Sequence, residues 1–226
     1  MDAQTRKVEE LSLPQAFLLL ATNDKDGEPE VPAYALRATL AGAILAELEL
    51  LGAIELQGKH VRATGTAPQT DLQHELELIR EKSRPHTPKR WVSILESRAE
   101  VRRVYEGMAS QGIVEHVGEK HLGLFKSTRY PEKDHGPEAV LLKKLEAALS
   151  GAPADPSKTD PNPDNLGTPD PRTRALIALL DAAGLLHRLF PSADQSRIQE
   201  LASDHWPSRA VADELRIIRL APHSAP

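Results

Sequence analysis

Apolar residues recur at helical spacing in two segments near the start of the chain. The first follows Ser12, whose spacing from Gln15 is typical of a capping box, and it contains four adjacent apolar residues, Phe17–Leu20. The second covers residues 34–51, with Leu or Ile at every third or fourth position and small residues between them. We therefore predict two helices, the second a central helix whose small residues let its neighbours approach closely.

The rest of the pattern predicts shorter helices and two β-hairpins. Alternation at 53–63 predicts one hairpin, and strands at 113–117 and 122–125 with a turn at 118–120 predict the other. Six Pro residues between 151 and 171 predict a mobile loop. Helices are predicted at about 70–82, 91–95, 98–111, 137–149, 172–189, 194–204 and 209–220.

Composition agrees with a mainly helical protein. Ala and Leu, two strong helix formers, number 29 and 32 among 226 residues, whereas Phe, Tyr and Trp together number eight. A β-sandwich or barrel ordinarily uses more aromatic and β-branched residues. We expect a mainly α fold, with one helical domain over residues 1–226 formed around a central helix bundle and carrying short β-hairpins.

No pattern of catalytic residues stands out. The sequence contains no dinucleotide-binding, phosphate-binding, zinc-protease or hydrolase-nucleophile motif, and no Cys that would supply a thiol nucleophile or a metal ligand. Asp24 and Asp26 predict a turn, because no acidic ligand follows at the spacing of a calcium loop. His116 and His121 predict exposed hairpin residues. We expect no catalytic residue, no metal and no cofactor, and therefore a protein that is not an enzyme.

The chain has no segment that predicts a membrane span or a secretory signal. Its longest apolar runs are short or interrupted by Glu47 and Glu49, and the first ten residues carry charges of both signs. The absence of Cys fits a reducing intracellular setting. We therefore expect a cytoplasmic protein whose contact with the inner face of a membrane is peripheral.

Positive charge is concentrated in the middle of a chain whose net charge is −5. Residues 84–105 contain six Lys or Arg against two Glu, and residues 119–133 contain four against two. Such a surface suits the phosphate groups of lipid headgroups or of nucleic acid. The alternative interpretation is a solvated helix face with ordinary ion pairs.

Residues 98–125 suggest a second class of function, a winged-helix DNA-binding regulator. A helix that ends at Gly112 and is followed by two strands has the order of a recognition helix and its wing. The acidic net charge and the modest density of basic residues oppose this interpretation. We therefore do not expect nucleic acid to be the partner.

Several blocks of sequence together resemble the Golgi phosphoprotein 3-like family. They follow one another in the family's order over nearly the whole chain, and their Ala-rich character and short termini resemble its bacterial branch. The blocks are LSLPQAFLLLA at 11–21, DKDG at 24–27, LAGAILAELELLGAIEL at 40–56, RWV at 90–92, the segment 98–114, LGLFKSTRYP at 122–131 and RALIALLDAAGL at 174–185.

The resemblance implies a helical domain with a protruding hairpin and no catalytic activity. In this family a basic surface pocket binds phosphatidylinositol 4-phosphate, and the eukaryotic members also bind the cytosolic tails of glycosyltransferases. The implied function is that of a peripheral phospholipid-binding or adaptor protein. Its partners would be anionic phospholipid headgroups, a second protein, and a second copy of the chain through the hairpin at 113–131.

The family's pocket has four positions, and one of them keeps its Arg here, at Arg98. The other three fall on Pro32, Ala41 and Val101, where the family has Trp or Arg. The residues expected to contact lipid headgroups are Arg90, Arg98, Arg102 and Arg103. The hairpin residues expected to contact a membrane or a second copy are Phe125, Lys126 and Arg129.

Overall fold

The computed structural model describes residues 10–121, 125–151 and 169–220, except for the side chains of residues 119–127. Within these ranges the chain forms ten helices and two separate hairpins, which confirms the predicted mainly α fold. The helices are α1 (Leu13–Leu20), α2 (Ala33–Leu50), α3 (Gln73–Arg80), α4 (Pro88–Leu95), α5 (Arg98–Ser110), α6 (Gly136–Ser150), α7 (Pro171–Ala183), α8 (Leu186–Leu189), α9 (Gln195–Ala202) and α10 (Trp206–Leu220). The strands are β1 (Ile54–Gln57), β2 (His60–Ala63), β3 (Val117–His121) and β4 (Phe125–Arg129), paired antiparallel as β1–β2 and β3–β4.

The central helix predicted from the small residues is α2. It contacts α1, α4, α5, α7 and α10, and every residue from Ala38 to Leu48 is buried. Gly42 permits the close approach of α10, because a Cβ at this position would lie 2.2 Å from Cγ2 of Val211. The Leu and Ile side chains of α2 therefore fill the core, while its small residues set the spacing between helices.

The helices that follow the predicted loop pack against the same core. α7 and α10 both contact α2, and their buried apolar residues belong to the cluster that contains those of α1 and α2. The Glu47 carboxylate joins three helices: it accepts hydrogen bonds from Arg172 at 2.5 and 2.9 Å and from the Leu13 N–H at 2.7 Å. Most of the predicted loop at 151–171 lies outside the described residues.

The predicted position of the second hairpin is wrong. Residues 118–120, predicted as a turn, belong to β3, in which Val117 pairs with Arg129 and His121 pairs with Phe125. The apolar residues Ile113 and Val114, predicted as a strand, are buried in the core immediately after α5, where Val114 forms only an isolated antiparallel bridge with Glu132. The apolar pair is therefore part of the core and not of the hairpin. Gly118 was predicted as a turn residue, but it lies within β3, since glycine also occurs in strands.

The last helices also begin and end at other positions than predicted. The helix predicted at 172–189 is divided, because Gly184 adopts a left-handed conformation with φ +77° that ends α7. The helix predicted from 209 begins at Trp206, because the His205 Nδ1 accepts a hydrogen bond from the Ser208 N–H and caps α10. Both differences come from the chemistry of the helix ends and leave the apolar stripes in place.

Candidate functional site

Two of the predicted basic residues form an exposed pair on α5. Arg98 and Arg102 are both exposed and lie one helical turn apart, so they share a face of the helix. The Arg102 side chain is 74% exposed and forms a long ion pair, 3.8 Å, with Glu106. An exposed pair of this length contributes little to stability, so Arg102 is accessible to a ligand.

Arg103, adjacent in sequence, instead faces the protein. Its Nη2 lies 2.5 Å from a carboxylate oxygen of Glu75 and 2.6 Å from one of Glu100, and its Nη1 donates to the Asp71 carbonyl at 2.8 Å. The Glu75 side chain is fully buried, and burial raises its pKa while Arg103 opposes that effect. The Arg103 charge is thus neutralised within the protein, which makes it a structural residue between α3 and α5.

The remaining predicted residues lie on other parts of the molecule. Arg90 is exposed on α4, and Arg129 at the end of β4 forms a 2.9 Å ion pair with Glu28. The side chains of Phe125 and Lys126 lie outside the described residues. The predicted basic residues whose side chains are described are therefore divided among α4, α5 and β4.

A groove with a volume of about 310 Å³ lies between the β1–β2 hairpin, the start of α4 and the first turns of α10. Three basic side chains line it: Lys59, Lys89 and Arg209. The acidic residue in its lining, Asp213, forms a 3.3 Å ion pair with Arg216, outside the lining. The lining therefore carries three positive charges against one negative, and Arg209 also forms an exposed 3.8 Å ion pair with Asp204. The groove is open to solvent.

Local sequence features place these side chains. Gly58, with φ +60°, forms the tight turn of the first hairpin, so Lys59 stands at its tip. The Thr87 side chain caps α4 by accepting a hydrogen bond from a backbone N–H of its first turn, and this helix end adds partial positive charge to the groove. At the opposite wall, the Trp206 Nε1 donates to the Glu49 carboxylate of α2 and so fixes the start of α10.

The sequence patterns do not predict this groove. Lys59 and Arg209 lie outside the basic middle of the sequence, and Lys89 lies within it. The three residues are separated by 30 and 120 positions, and they meet because α10 packs against α4. A local sequence pattern cannot predict that residues so far apart lie close together. The sequence indicated only that Lys89 lies beside Arg90, one of the residues expected to contact lipid headgroups.

A second cluster collects acidic groups and a histidine. One possible metal-ligand atom from each of Asp24, Glu132 and His135 lies within 4.8 Å of the others. Glu138, in the first turn of α6, is next to them: burial and the negative charges of Asp24 and Glu132 raise its pKa to about 7. Asp24 lies in a turn as predicted, but the turn also brings its carboxylate beside residues more than 100 positions away.

The chain matches the model of a known protein family over most of its length. The family model of Golgi phosphoprotein 3 (GPP34) matches residues 13–218, from the first residue of α1 into α10. The chain belongs to the Golgi phosphoprotein 3 family. The resemblance predicted from the sequence blocks is thereby confirmed, and the match does not favour the winged-helix alternative.

The structure shows what stands at the substituted pocket positions of this Golgi phosphoprotein 3 family member. Pro32 is exposed at the residue before α2, Ala41 is fully buried within α2, and Val101 is half-buried on α5. Arg37 lies on α2 one turn before Ala41, close enough to Glu96 to oppose the rise in the pKa of Glu96 that burial produces. Three of the four positions that the resemblance assigns to the family's pocket are therefore uncharged here.

Proposed function

We propose that this Golgi phosphoprotein 3 family member binds anionic phospholipid headgroups at a membrane surface and does so without catalysis. The observation that carries the proposal is the groove lined by Lys59, Lys89 and Arg209, where three basic side chains face one acidic side chain, Asp213. A phosphate-bearing headgroup is the ligand that this charge favours. The volume of about 310 Å³ lies at the lower end of the range of small-ligand sites.

Each basic group near an anionic membrane surface contributes about 1 kcal/mol, so the three basic groups of the groove give weak docking that salt reverses. Arg90, Arg98 and Arg102 are exposed outside the groove and form a second candidate surface. None of the described helices is both long and apolar enough to cross a membrane. The proposed contact is therefore peripheral.

The composition of the lipid surface tests this proposal. Full-length protein is sedimented with vesicles of phosphatidylcholine alone, with added phosphatidylserine, or with added phosphatidylinositol 4-phosphate at matched total charge. We expect sedimentation with both anionic vesicles at about 0.1 M salt, release at about 0.5 M, and none with phosphatidylcholine. Equal binding to the two anionic vesicles is expected because the family's own pocket positions are mostly uncharged.

Charge reversal in the groove tests the site. Lys59→Glu/Lys89→Glu removes two attractive charges of about 1 kcal/mol each, so the affinity for anionic vesicles should fall by roughly 30-fold or more. The matched control is Lys143→Glu/Arg219→Glu, which makes the same change in net charge at exposed positions of α6 and at the far end of α10.

Two results would contradict the proposal. One is the absence of binding to any anionic vesicle, and the other is an equal loss in the groove variant and the control, which would indicate a response to net charge alone. A loss confined to Arg98→Glu/Arg102→Glu would move the site to α5. The adaptor role and self-association through residues 113–131, both implied by the resemblance, stay predictions.

A further inference from the structure

The backbone around the Asn23–Gly27 turn is fixed against the segment that follows β4. The Gly27 carbonyl accepts a hydrogen bond from the Tyr130 N–H at 3.1 Å, and the Asp24 carbonyl accepts one from the Glu132 N–H at 3.0 Å. Gly27 has φ +69°, and a Cβ there would lie 2.3 Å from the Pro131 nitrogen, so only glycine fits. These contacts hold Asp24 and Glu132 side by side.

The side chains that this backbone brings together are nearly all acidic. Asp24, Glu132 and Glu138 converge with His135, and no Lys or Arg in the described part of the chain forms an ion pair with any of the three carboxylates. Among the described residues, the oppositely charged group in contact with them is His135 in its protonated form, whose Nδ1 contacts a Glu132 oxygen. Three carboxylates held this close repel one another unless a proton or a cation stands between them.

Glu132 supplies an observation independent of the clustering. Its side chain is only 2% exposed, and its Oε1 has no hydrogen-bond partner although it is buried. A buried carboxylate oxygen without a partner is costly, and most such atoms in folded proteins have one. Two partners fit this oxygen: the proton of a neutral Glu138 carboxyl, which lies beside Glu132, or a bound cation.

The ligand types select the class of cation. Ca²⁺ and Mg²⁺ take oxygen ligands almost exclusively, whereas an imidazole nitrogen together with carboxylate oxygens suits Zn²⁺ and its first-row neighbours. Ligand atoms about 2.1 Å from a tetrahedral ion lie about 3.4 Å apart. All three atoms lie within 4.8 Å of one another, and the contacting pair, His135 Nδ1 and the Glu132 oxygen, would have to separate to about 3.4 Å to admit the ion. Asp24 and His135 are exposed and can rotate.

We propose that Asp24, Glu132 and His135, with Glu138 beside them, bind one divalent transition-metal ion of the Zn²⁺ type. The ion would join the Asn23–Gly27 turn to the segment after β4 and to the start of α6, and so fasten the base of the second hairpin to the body of the protein. This site is separate from the groove of the proposed lipid-binding function, and its test uses no lipid.

Zinc itself is the probe. Full-length protein without an affinity tag is treated with a chelator, dialysed, and titrated with Zn²⁺ in a calorimeter, and its thermal unfolding is followed with and without the ion. We expect one Zn²⁺ per chain and a higher Tm in its presence, because an ion that binds only the folded state stabilises it. We also expect much weaker binding of Mg²⁺ and Ca²⁺ under the same conditions.

Two variants and one control assign the site. Glu132→Gln and His135→Asn should each weaken Zn²⁺ binding by about tenfold or more, because even outer-shell changes at metal sites reach that size. Glu132→Gln should remain folded and be at least as stable as the wild type without metal, since it removes a buried charge that lacks a partner. The control is His187→Asn, an exposed histidine that bonds to Gln195 and should leave the affinity unchanged.

The proposal is overturned if the wild type takes up no stoichiometric Zn²⁺. It is also overturned if uptake persists unchanged in Glu132→Gln and His135→Asn, or if it is lost equally in the His187 control. If neither the wild type nor Glu132→Gln binds Zn²⁺, and Glu132→Gln is the more stable of the two, the cluster holds a proton and not a metal.

Discussion

At the scale of single residues, the Glu47 carboxylate shows how a charge is accommodated in the core of this protein. Glu47 lies on the central helix with a side chain only 6% exposed, and it is satisfied by the two Nη atoms of Arg172 and by the Leu13 N–H. Two charges in a poorly solvated place are tolerable only while both are present. This interaction therefore connects α1, α2 and α7 but depends on each partner.

We predict that Arg172→Met lowers the free energy of unfolding by about 3 kcal/mol or more, because the buried Glu47 charge loses its partner. The double variant Glu47→Gln/Arg172→Met should be clearly more stable than the single one, since the amide is neutral and its oxygen still accepts from the Leu13 N–H. Urea unfolding of the three proteins measures both differences. Equal destabilisation of the single and double variants would show that packing, and not the unpaired charge, causes the loss.

The same scale explains how far the sequence predicts the exposure of the candidate residues. Arg98 and Arg102 are four positions apart, and helical geometry alone predicts that they share an exposed face. Arg103 is one position further round the helix and points toward Glu75, a partner 28 positions earlier that no local pattern reveals. The positions of Lys59 and Arg209 are equally unpredictable from local patterns, because these residues are brought together by the packing of elements that are distant in sequence.

At the scale of elements, α10 is held in two ways that lead to separate predictions. Its first turn is capped by the neutral imidazole of His205, which accepts from the Ser208 N–H at 3.2 Å. Burial, together with the positive charges of Arg174 and Arg209, lowers the pKa of His205 to about 4. The middle of α10 packs against α2, where Val211 contacts Gly42. The groove depends on both contacts because α10 supplies one of its walls.

The His205 cap makes stability depend on pH. The pKa of His205 is lower in the folded protein than in the unfolded chain, where it is near 6.5. The contribution of neutral His205 to stability is therefore complete above pH 6.5 and is lost as the pH falls toward 4. We predict that the wild type loses about 2 kcal/mol more than His205→Asn between pH 7.5 and 5. Asn keeps a capping oxygen and does not titrate. Urea unfolding at both pH values measures this difference. An equal loss of stability in the wild type and in His205→Asn would contradict the role of His205 as a cap that titrates.

The contact at Gly42 predicts a packing defect. Gly42→Ala places a Cβ 2.2 Å from Cγ2 of Val211, so α10 must move, and we expect a loss of about 2 kcal/mol although Ala favours the helix. Gly42→Ala/Val211→Ala removes the clash and should be less destabilised than the sum of the two single changes. Thermal unfolding of the four proteins measures the coupling. Additive effects would show that the two helices accommodate the methyl group without strain.

The elements themselves were more predictable than their ends. Apolar spacing located α1, α2, α5 and α6 because their buried stripes have the helical period. The second hairpin was misplaced because Ile113 and Val114 look like strand residues but fill the core after α5. Burial of an apolar pair depends on what lies across from it, and that information is not local.

At the scale of the whole molecule, the net charge of −5 conceals a separation of charge. Arg103 of the basic middle is paired within the protein, while the groove takes Lys59 and Arg209 from outside that middle. The Asp24–Glu132–His135 cluster concentrates negative charge elsewhere. The composition and the sequence blocks were sufficient for the fold and the family, but the site required the three-dimensional arrangement.

The most direct test of the lipid-binding account is to locate the headgroup by NMR. Isotope-labelled full-length protein is titrated with soluble, short-chain phosphatidylserine below its micelle concentration, and the backbone amide shifts are followed residue by residue. The account predicts that the largest changes occur in the lining of the groove, at Gly58, Lys59, Lys89 and Arg209. Changes centred on Arg98 and Arg102 with none in the groove, or no changes at all, would contradict it.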